Sequence, residues 1–389
     1  MADRAFEISI EGTPVDPELY DDLLEVVVED NGALADIFNI RLAISPLQSG
    51  EWKYVYDDKF FLFNRVLIKA WFDNGVSEVL IEGYITTVNT HFDAEEGKSY
   101  LEIQGMDPTV LMNLQEKAKA WPDKKDSEIA KTILNEYGFD PVVEDTTTIH
   151  NEKDFTVMQK GTDMQFLRNL AQRNGFECYV ETDSKGMATG YFRRPVLNET
   201  PQKELSIRFG KESNLVYLKS HVDSLKPLAV GAVQIDIKAK ETKSELAKSP
   251  GLEKMGKNAL PDLIKTRLLS LLPASDVPIS NIRLTNQQPV SILKSSAQAV
   301  LDEGSWFVSV QGEIDSVAYQ SILKAKRTVI VKGAGKVFSG KYYVTKVSHI
   351  FTKEKKYVQR FEARRNALDP DGREKFGDYQ WSSLSSQVA

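Results

Sequence analysis

A single cysteine, Cys178, in 389 residues leaves no partner for an internal disulfide and suits a cytoplasmic site of synthesis. It lies between Glu177 and Tyr179 with no histidine close in sequence, which makes it a packing residue of a strand rather than a nucleophile. The four histidines, His91, His150, His221 and His349, are widely separated. There is no H-x-x-x-H or Cys-x-x-Cys spacing, so the chain offers no zinc motif. Nor does local spacing assemble a Ser–His or Cys–His nucleophile. No apolar run approaches the about 20 residues that cross a bilayer, so membrane insertion by this chain is not expected. The opening MADRAFEISIEG has no apolar h-region, and no secretory signal is read there. Positive charge is also short: 49 Lys and Arg against 56 Asp and Glu leave a net −7 and a pI near 5.4. This argues against nonspecific DNA binding, which rests on phosphate neutralisation by Lys and Arg, and no specific nucleic-acid binding is expected.

Several short motifs fail on inspection. Gly333-Ala334-Gly335-Lys336 superficially resembles a phosphate loop, but it lacks the full G-x-x-x-x-G-K-[ST] pattern and sits between strands, so it reads as a tight β-turn. Asp369-Pro370-Asp371-Gly372 lacks the remaining ligands of a calcium loop and reads as a surface turn. The carboxylates at Asp93–Glu96 and at Glu29-Asp30 read as solvated charge at turns rather than as an acid/base pair for glycan cleavage. Lys353-Glu354-Lys355-Lys356 reads as a hairpin tip, lacking the interleaved aromatics of a nucleic-acid surface. No catalytic residue, metal or cofactor is assigned.

What is present is an ordinary globular composition, 41% hydrophobic and 27% charged, long enough for two or three domains. The reading is α+β, mainly β: two related small β-barrels with an interposed α/β domain and a helical insertion. Residues 1–117 form the first barrel. Phe38, Ile40, Leu42 and Ile44 alternate with polar or small residues up to Pro46. Val66–Phe72 and Val76–Tyr84 flank the turn Asp73-Asn74-Gly75, and Tyr100–Gln104 is a further strand. Residues 118–214 are α/β, with Asp126 as a candidate helix cap. Residues 215–243 and 304–370 form the second barrel. It includes the alternation of Val233, Ile235 and Ile237 with Gln234, Asp236 and Lys238, and strands at Trp306–Val310, Thr328–Lys332, Tyr342–Val347 and Tyr357–Phe361. Residues 244–303 are the helical insertion. One helix is capped by Asp262, carries Ile264, Leu268, Leu271 and Leu272 on one face and stops at Pro273; another runs through Ser295–Leu301 to Gly304. Residues 371–389 are a polar tail.

Two internal echoes stand out. In GTDMQFLRNLAQRNGFECYVE (Gly161–Glu181), Thr162 and Gln165 read as a capping box. Phe166, Leu167, Leu170 and Ala171 follow at helical spacing, Gly175 is a left-handed stop, and Phe176 opens a strand. The same helix–Gly–Phe–strand design occurs at Ile129–Glu144 around Gly138-Phe139. The second echo aligns Arg65–Phe92 with Arg327–Phe351, matching Tyr84, Thr86 and Val88 to Tyr343, Thr345 and Val347. It points to two related β units.

The D-x-x-F-L-x-x-L-A-x-x-x-G-F run of Asp163–Phe176 resembles the middle of the phage late control gene D and VgrG-base family, the baseplate hubs of contractile tails and injection systems. Weaker motifs follow in order over more than three-quarters of the chain. Ala35, Asp36, Phe38, Ile40 and Leu42 form one strand, followed by Gly83, Ile85 and Val88, and by Gly105, Asp107 and Met112 or Leu111. Ala297–Leu301 resembles the family's Ala-rich segment, and Gly340, Tyr342, Val344, Val347 and His349 a closing strand. The resemblance implies a noncatalytic homotrimeric adapter, in which two barrels per chain give six near-equivalent barrels between a hexameric inner tube protein and a trimeric spike. The chain stops after the second barrel, so the spike is expected to be a separate protein, and baseplate wedge proteins are further candidate partners. The particle would be a virion tail or injection-particle baseplate. On this reading Phe38, Ile40, Tyr84, Val88, Tyr343 and Val347 are barrel core or wall, and Phe166, Leu170, Gly175 and Phe176 lock the α/β domain. The alternatives are a tail-associated peptidoglycan hydrolase and a carbohydrate- or receptor-binding tail protein. The Lys- and Leu-containing stretch of about residues 244–290 is longer than the family pattern.

Overall fold

The computed structural model describes residues 5–370 and 372, apart from 154, 184, 237–239, 272–277, 285–288, 355 and 356. The chain is mainly β with several helices. Its first six principal strands are β1 (Phe6–Ile10), β2 (Leu23–Asn31), β3 (Ile37–Ala43), β4 (Arg65–Trp71), β5 (Ser77–His91) and β6 (Tyr100–Met106). They follow from period-two alternation: Phe38, Ile40 and Leu42 of β3, and Val26 and Val28 of β2, turn into one apolar core with Ile68, Ile85 and Ile103. Their pairing order is β2-β3-β6-β5-β4-β1.

The middle of the chain is smaller and mixed. It runs β7 (Glu116–Trp121), α1 (Asp126–Glu136), β8 (Asp140–Val143), β9 (Val157–Thr162), α2 (Asp163–Asn174), β10 (Glu177–Thr182) and β11 (Ala188–Arg193). Strand β7 pairs with β9, and β8-β11-β10 form a separate sheet. Both helices end in the same way. Gly175, at φ +69°, donates to Gln172 O at 3.2 Å while Phe176 donates to Ala171 O at 2.9 Å. Gly138, at φ +74°, donates to Asn135 O at 3.0 Å while Phe139 donates to Leu134 O at 3.2 Å. These are twin Schellman caps, so the repeated Gly-Phe is the signature of one helix stop used twice. At the start of α2, Thr162 Oγ1 accepts from Gln165 N at 3.3 Å, the first half of the expected capping box. Asp126 is not the cap of α1. Lys125 holds that position, its N–H donating to Glu128 Oε2 at 2.9 Å, and Asp126 is a buried residue of the first turn.

The remaining principal strands and helices are β12 (Gln202–Ser206), β13 (Leu215–Val222), β14 (Ala229–Asp236), β15 (Glu241–Ala247), α3 (Leu260–Leu271), β16 (Ile279–Arg283), α4 (Val290–Gly304), β17 (Val308–Asp315), β18 (Thr328–Lys332), β19 (Gly340–Thr352) and β20 (Tyr357–Arg365). Six of them pair in the order β13-β17-β20-β19-β18-β12 around a second core of Val310, Val329, Val344, Val347 and Phe361. The expected helical insertion is mixed: β15, β14 and β16 form their own three-stranded sheet, and α4 packs on it through Leu293, Ala297 and Leu301. Strand β14 therefore leaves the second β unit. Its alternation is also inverted, with Gln234 and Asp236 buried and Ile235 64% exposed, because the inner face lies against polar neighbours such as Lys243. The expected contributions of Ile237, Lys238, Leu272 and Pro273 lie outside the described residues, as does the tail apart from Gly372. Gly333–Lys336 is no simple β-turn, since Gly335–Phe338 makes one helical turn.

Neither six-strand group closes into a barrel among the described residues. Closing the first would need β2 to reach β1, but the second edge of β2 is taken by β19. Strand β19 is long enough to change partners along one edge. Gly340–Tyr343 pairs with β18, and Lys346–Thr352 pairs with Glu25–Asn31 of β2. The two groups thereby join, with the two-residue strand Thr13–Pro14 beside β1, in one thirteen-stranded sheet.

The groups correspond strand for strand: β2, β3, β6, β5 and β4 in one occupy the places of β13, β17, β20, β19 and β18 in the other. The irregularities coincide as well. The β5–β6 register shifts across Thr86 and the β19–β20 register across Thr345. Each threonine hydroxyl donates across the bulge, to Gln104 O at 3.4 Å and to Glu362 O at 3.1 Å. A second pair of shifts falls between Leu23 and Glu25 and between Leu215 and Tyr217. The sequence echo is one residue out at its start: Arg65 lies opposite Tyr84 as Thr328 lies opposite Tyr343, so Arg65 corresponds to Thr328 and not to Arg327.

Candidate functional site

The chemistry of this chain is concentrated at the seam between its two β groups. Along β2, Val26, Val28 and Asp30 face inward, and all three are buried. A carboxylate at the end of an apolar stripe needs a counter-charge. Lys326, 2% exposed and held at φ +61° before β18, supplies it: its Nζ lies 2.6 Å from Asp30 Oδ1 and 3.1 Å from Asp36 Oδ2. Asp30 Oδ2 accepts from Ala325 N at 2.8 Å. Asp36 Oδ1 accepts from Asn31 N at 2.7 Å, and Asp107 Oδ2 accepts from Asp36 N at 2.7 Å. Asp107 Oδ1 takes Thr109 N at 2.8 Å. The Lys326 ammonium also stands 5.1 Å from the centre of the Tyr179 ring, bringing β10 to the same point.

One cation and three carboxylates cannot all carry full charge at this depth. Burial pushes the Asp30 carboxyl up, but the Lys326 charge and hydrogen bond and the Ala325 N–H outweigh it, and the group ends below its usual range. Burial dominates at Asp36, aided by Asp30 and Asp107, and holds it well above the usual carboxylate range despite Lys326. Asp107 is likewise raised, mainly by burial. Burial alone would lower Lys326, yet Asp30 and Asp36 hold it well above its ordinary value. A cavity of about 30 Å³ lies beside the cluster, lined in part by Asp30, Asp36, Asp107, Leu80, Val180 and Lys324. It has room for water and none for a substrate of any size.

Other polar contacts surround the seam, two of them reaching β10 of the α/β region. Arg327 donates to Glu181 Oε2 at 2.8 Å, and the Tyr343 hydroxyl donates to Glu177 Oε2 at 2.6 Å. His349 Nδ1 lies 2.8 Å from the Tyr357 hydroxyl, and burial takes the imidazole down to about 4. A second buried cluster ties the two helices. Asp126 meets His150 Nε2 at 2.8 Å, Arg173 Nε at 2.8 Å and Asn174 Nδ2 at 2.7 Å. Burial raises the Asp126 carboxyl, but these partners outweigh it and bring it down to about 2.

The ten residues singled out from the sequence fall in separate places. Phe38 and Ile40 are in the first core, with Val88 partly buried against it and Tyr84 half-buried on β5. Phe166 and Leu170 lie in the α/β core, with Phe176 edge-on to Phe192 at 5.3 Å. Val347 is in the second core, while Tyr343 packs with Trp306, Leu197 and Met255. Two residues singled out with the family motifs, Asp36 and Asp107, do come together. Glu29-Asp30 is a correction: both residues belong to β2, Glu29 pairing with Lys346 at 2.8 Å and Asp30 buried, so the pair is not solvated turn charge. Lys326 was missed, although its neighbour Arg327 opened the second echo. Among the described residues no group of three or more His, Cys, Asp or Glu could hold a metal, and no helix is long and apolar enough to cross a membrane.

A family model described as the Alg8 N-terminal domain matches residues 4–353. No curated protein sequence matches the chain. Among solved structures it is similar to the 43 kDa tail protein of prophage MuSo2 from Shewanella oneidensis, at 10% identity and TM-score 0.61 over 94% of this chain and 99% of that one. It is also similar to a tail protein from Neisseria meningitidis, at 9% identity and TM-score 0.63 over 93% and 96%. A chain of the Francisella PdpA–VgrG complex matches at 12% identity and TM-score 0.53, over 96% of this chain and 59% of that one. At these identities the likeness is one of fold, and it falls among tail and VgrG proteins as the sequence motifs implied, though the expected barrels do not close among the described residues.

Proposed function

The chain belongs to this Alg8 N-terminal domain family, and from the tail-protein fold it carries end to end we propose that it is the noncatalytic central hub of a contractile-tail or injection-system baseplate. On this reading it is a homotrimer that joins a hexameric inner tube to a separate trimeric spike, with wedge proteins around it. It is made in the bacterial cytoplasm and assembled into the particle. The observation that carries the reading is the internal repetition: five strands in the same order, with two coincident bulges, in both β groups. Three chains of this kind offer six near-equivalent units, which reconciles a sixfold tube with a threefold spike. The buried Lys326 cluster suits a part that passes on thrust, because it fastens the two units at fixed spacing instead of binding a ligand. The test is the native mass of the chain co-expressed with the spike protein of the same particle. A three-to-three complex is expected, and a stable monomer that ignores the spike would remove the reading.

A further inference from the structure

Within one chain, β2 lies along β19 from Lys346 opposite Asn31 to Thr352 opposite Glu25. The corresponding strands are β13 and β5, and the same two edges of these strands are open among the described residues. From Thr87 to His91, β5 pairs only with β6, and β13 pairs only with β17. Open edges of this length invite pairing with another chain. We propose that Thr87–His91 of one copy pairs antiparallel with Lys219–Asp223 of a neighbouring copy, in the register of the internal seam. Transferring that register through the matched bulges places Val88 opposite Val222, Asn89 opposite His221 and Thr90 opposite Ser220. The proposal rests on the trimeric reading above and specifies how its chains are joined.

The side chains beside the two seams differ in a coordinated way. Lys326 N donates to Val344 O at 2.8 Å, and Phe63 N donates to Ile85 O at 2.8 Å; both residues are left-handed, at φ +61° and +66°. Phe63 therefore holds in the first group the place of Lys326 in the second. By the same correspondence Val222 holds the place of Asp30, and Val308 that of Asp36. The internal seam sets an ammonium against two carboxylates, while the open edges would set a phenyl ring against Val222, with Val308 already buried in the second core. A change on one side alone would bury an unpaired charge; the paired change keeps each seam self-consistent. The open edges also expose apolar surface: Phe61 is 70% exposed, Leu62 and Phe63 48% each, and Val222 41%. Contiguous apolar exposure beside an open strand edge fits a second copy of the chain better than solvent. Three copies joined in this way would alternate three internal and three external seams around a ring.

The test uses the chain–spike complex and disulfide trapping. In register, Asn89 and His221 stand directly opposite, with Cβ atoms about 5 Å apart, whereas Asn89 and Lys219 are diagonal at about 7 Å, beyond the reach of a disulfide. Oxidised Asn89→Cys/His221→Cys should give covalent trimers on a non-reducing gel, and Asn89→Cys/Lys219→Cys should not. As a second measurement, Phe63→Lys or Val222→Asp alone should lose the trimer mass, and the double variant, which transplants the internal pair, should regain it. A complex of trimer mass that fails to form the in-register link, or that survives both single substitutions, overturns the register while leaving the hub reading intact. Loss of the trimer from the unaltered chain removes both.

Discussion

Lys326 Nζ lies 2.6 Å from Asp30 Oδ1 although 296 residues separate the two in sequence. That contact, with Asp36 behind it, is where the second β group is charged against the first. Removing the cation strands buried carboxylates, and breaking such a pair costs about 3–5 kcal/mol. Lys326→Met should lose stability of that order in urea unfolding. Asp30→Asn combined with Lys326→Met should recover part of the loss, because it also removes the uncompensated charge. A loss below about 1 kcal/mol in the single variant would mean that the cluster does not hold the seam.

The pH dependence should carry a mark of His349. Burial brings its pKa from the usual 6.5 to about 4, with Lys324 acting in the same direction and Asp30 opposing. The fold favours the neutral ring, so this contribution is complete above the unfolded pKa near 6.5 and is lost as pH falls towards 4. The loss is about 3 kcal/mol at 1.4 kcal/mol per unit. Asp36 and Asp107, whose pKa values are raised, act in the opposite sense over part of that range, since protonating them relieves buried charge. The His349 part is therefore read as the difference between wild type and His349→Gln in unfolding free energy from pH 7 to pH 4. The variant should show the shallower acid loss, and parallel curves would refute the assignment.

The two helix stops allow a controlled comparison. Gly175 and Gly138 share a left-handed backbone, but a Cβ on Gly138 would meet nothing within 4 Å, while one on Gly175 would lie 3.4 Å from Ala299 Cα on α4. Gly138→Ala should cost about 1–2 kcal/mol of backbone strain. Gly175→Val should cost more, because a β-branched side chain at positive φ is a worse fit and α4 stands against it. Thermal melting of the two variants tests the order. An unchanged melting temperature for Gly175→Val would show that the cap is not needed.

These same elements show what could be read from the chain and what could not. Alternation at Phe38, Ile40 and Leu42 exposes a strand because its cause is local, and the Gly-Phe stops were legible because a Schellman cap lies within six residues. The paired hairpins were visible through Tyr84, Thr86 and Val88, yet their start was misaligned by one. The arginines Arg65 and Arg327 look alike, whereas the true equivalence is set by cross-strand register, Arg65 opposite Tyr84 and Thr328 opposite Tyr343, which neither segment shows by itself. Asp30 looked like turn charge because Glu29 precedes it and Asn31-Gly32 follow. Only its place after Val26 and Val28 hinted that it faces inward, and its partner is nearly the length of the chain away. Barrel closure was expected from strand content. It fails because β19 turns one edge from β18 to β2, a choice of partner that no single strand encodes.

Cys178 gives a direct readout of these unfolding events. Burial among Ile129, Leu170 and Phe192 pushes its thiol up to about 12, with Arg168 offsetting only part of the effect. At pH 8 the folded chain therefore holds almost no thiolate, and the thiolate is the species that reacts. An aromatic disulfide reagent should label the native chain slowly and the urea-unfolded chain at the rate of an exposed cysteine. Labelling should follow the same urea midpoint as the loss of secondary structure if the α/β core opens together with the β groups, and an earlier midpoint would show that this core opens first. Fast labelling under native conditions would contradict the buried placement. Slow labelling also leaves the native thiol silent under the oxidation used to trap Asn89→Cys against His221→Cys.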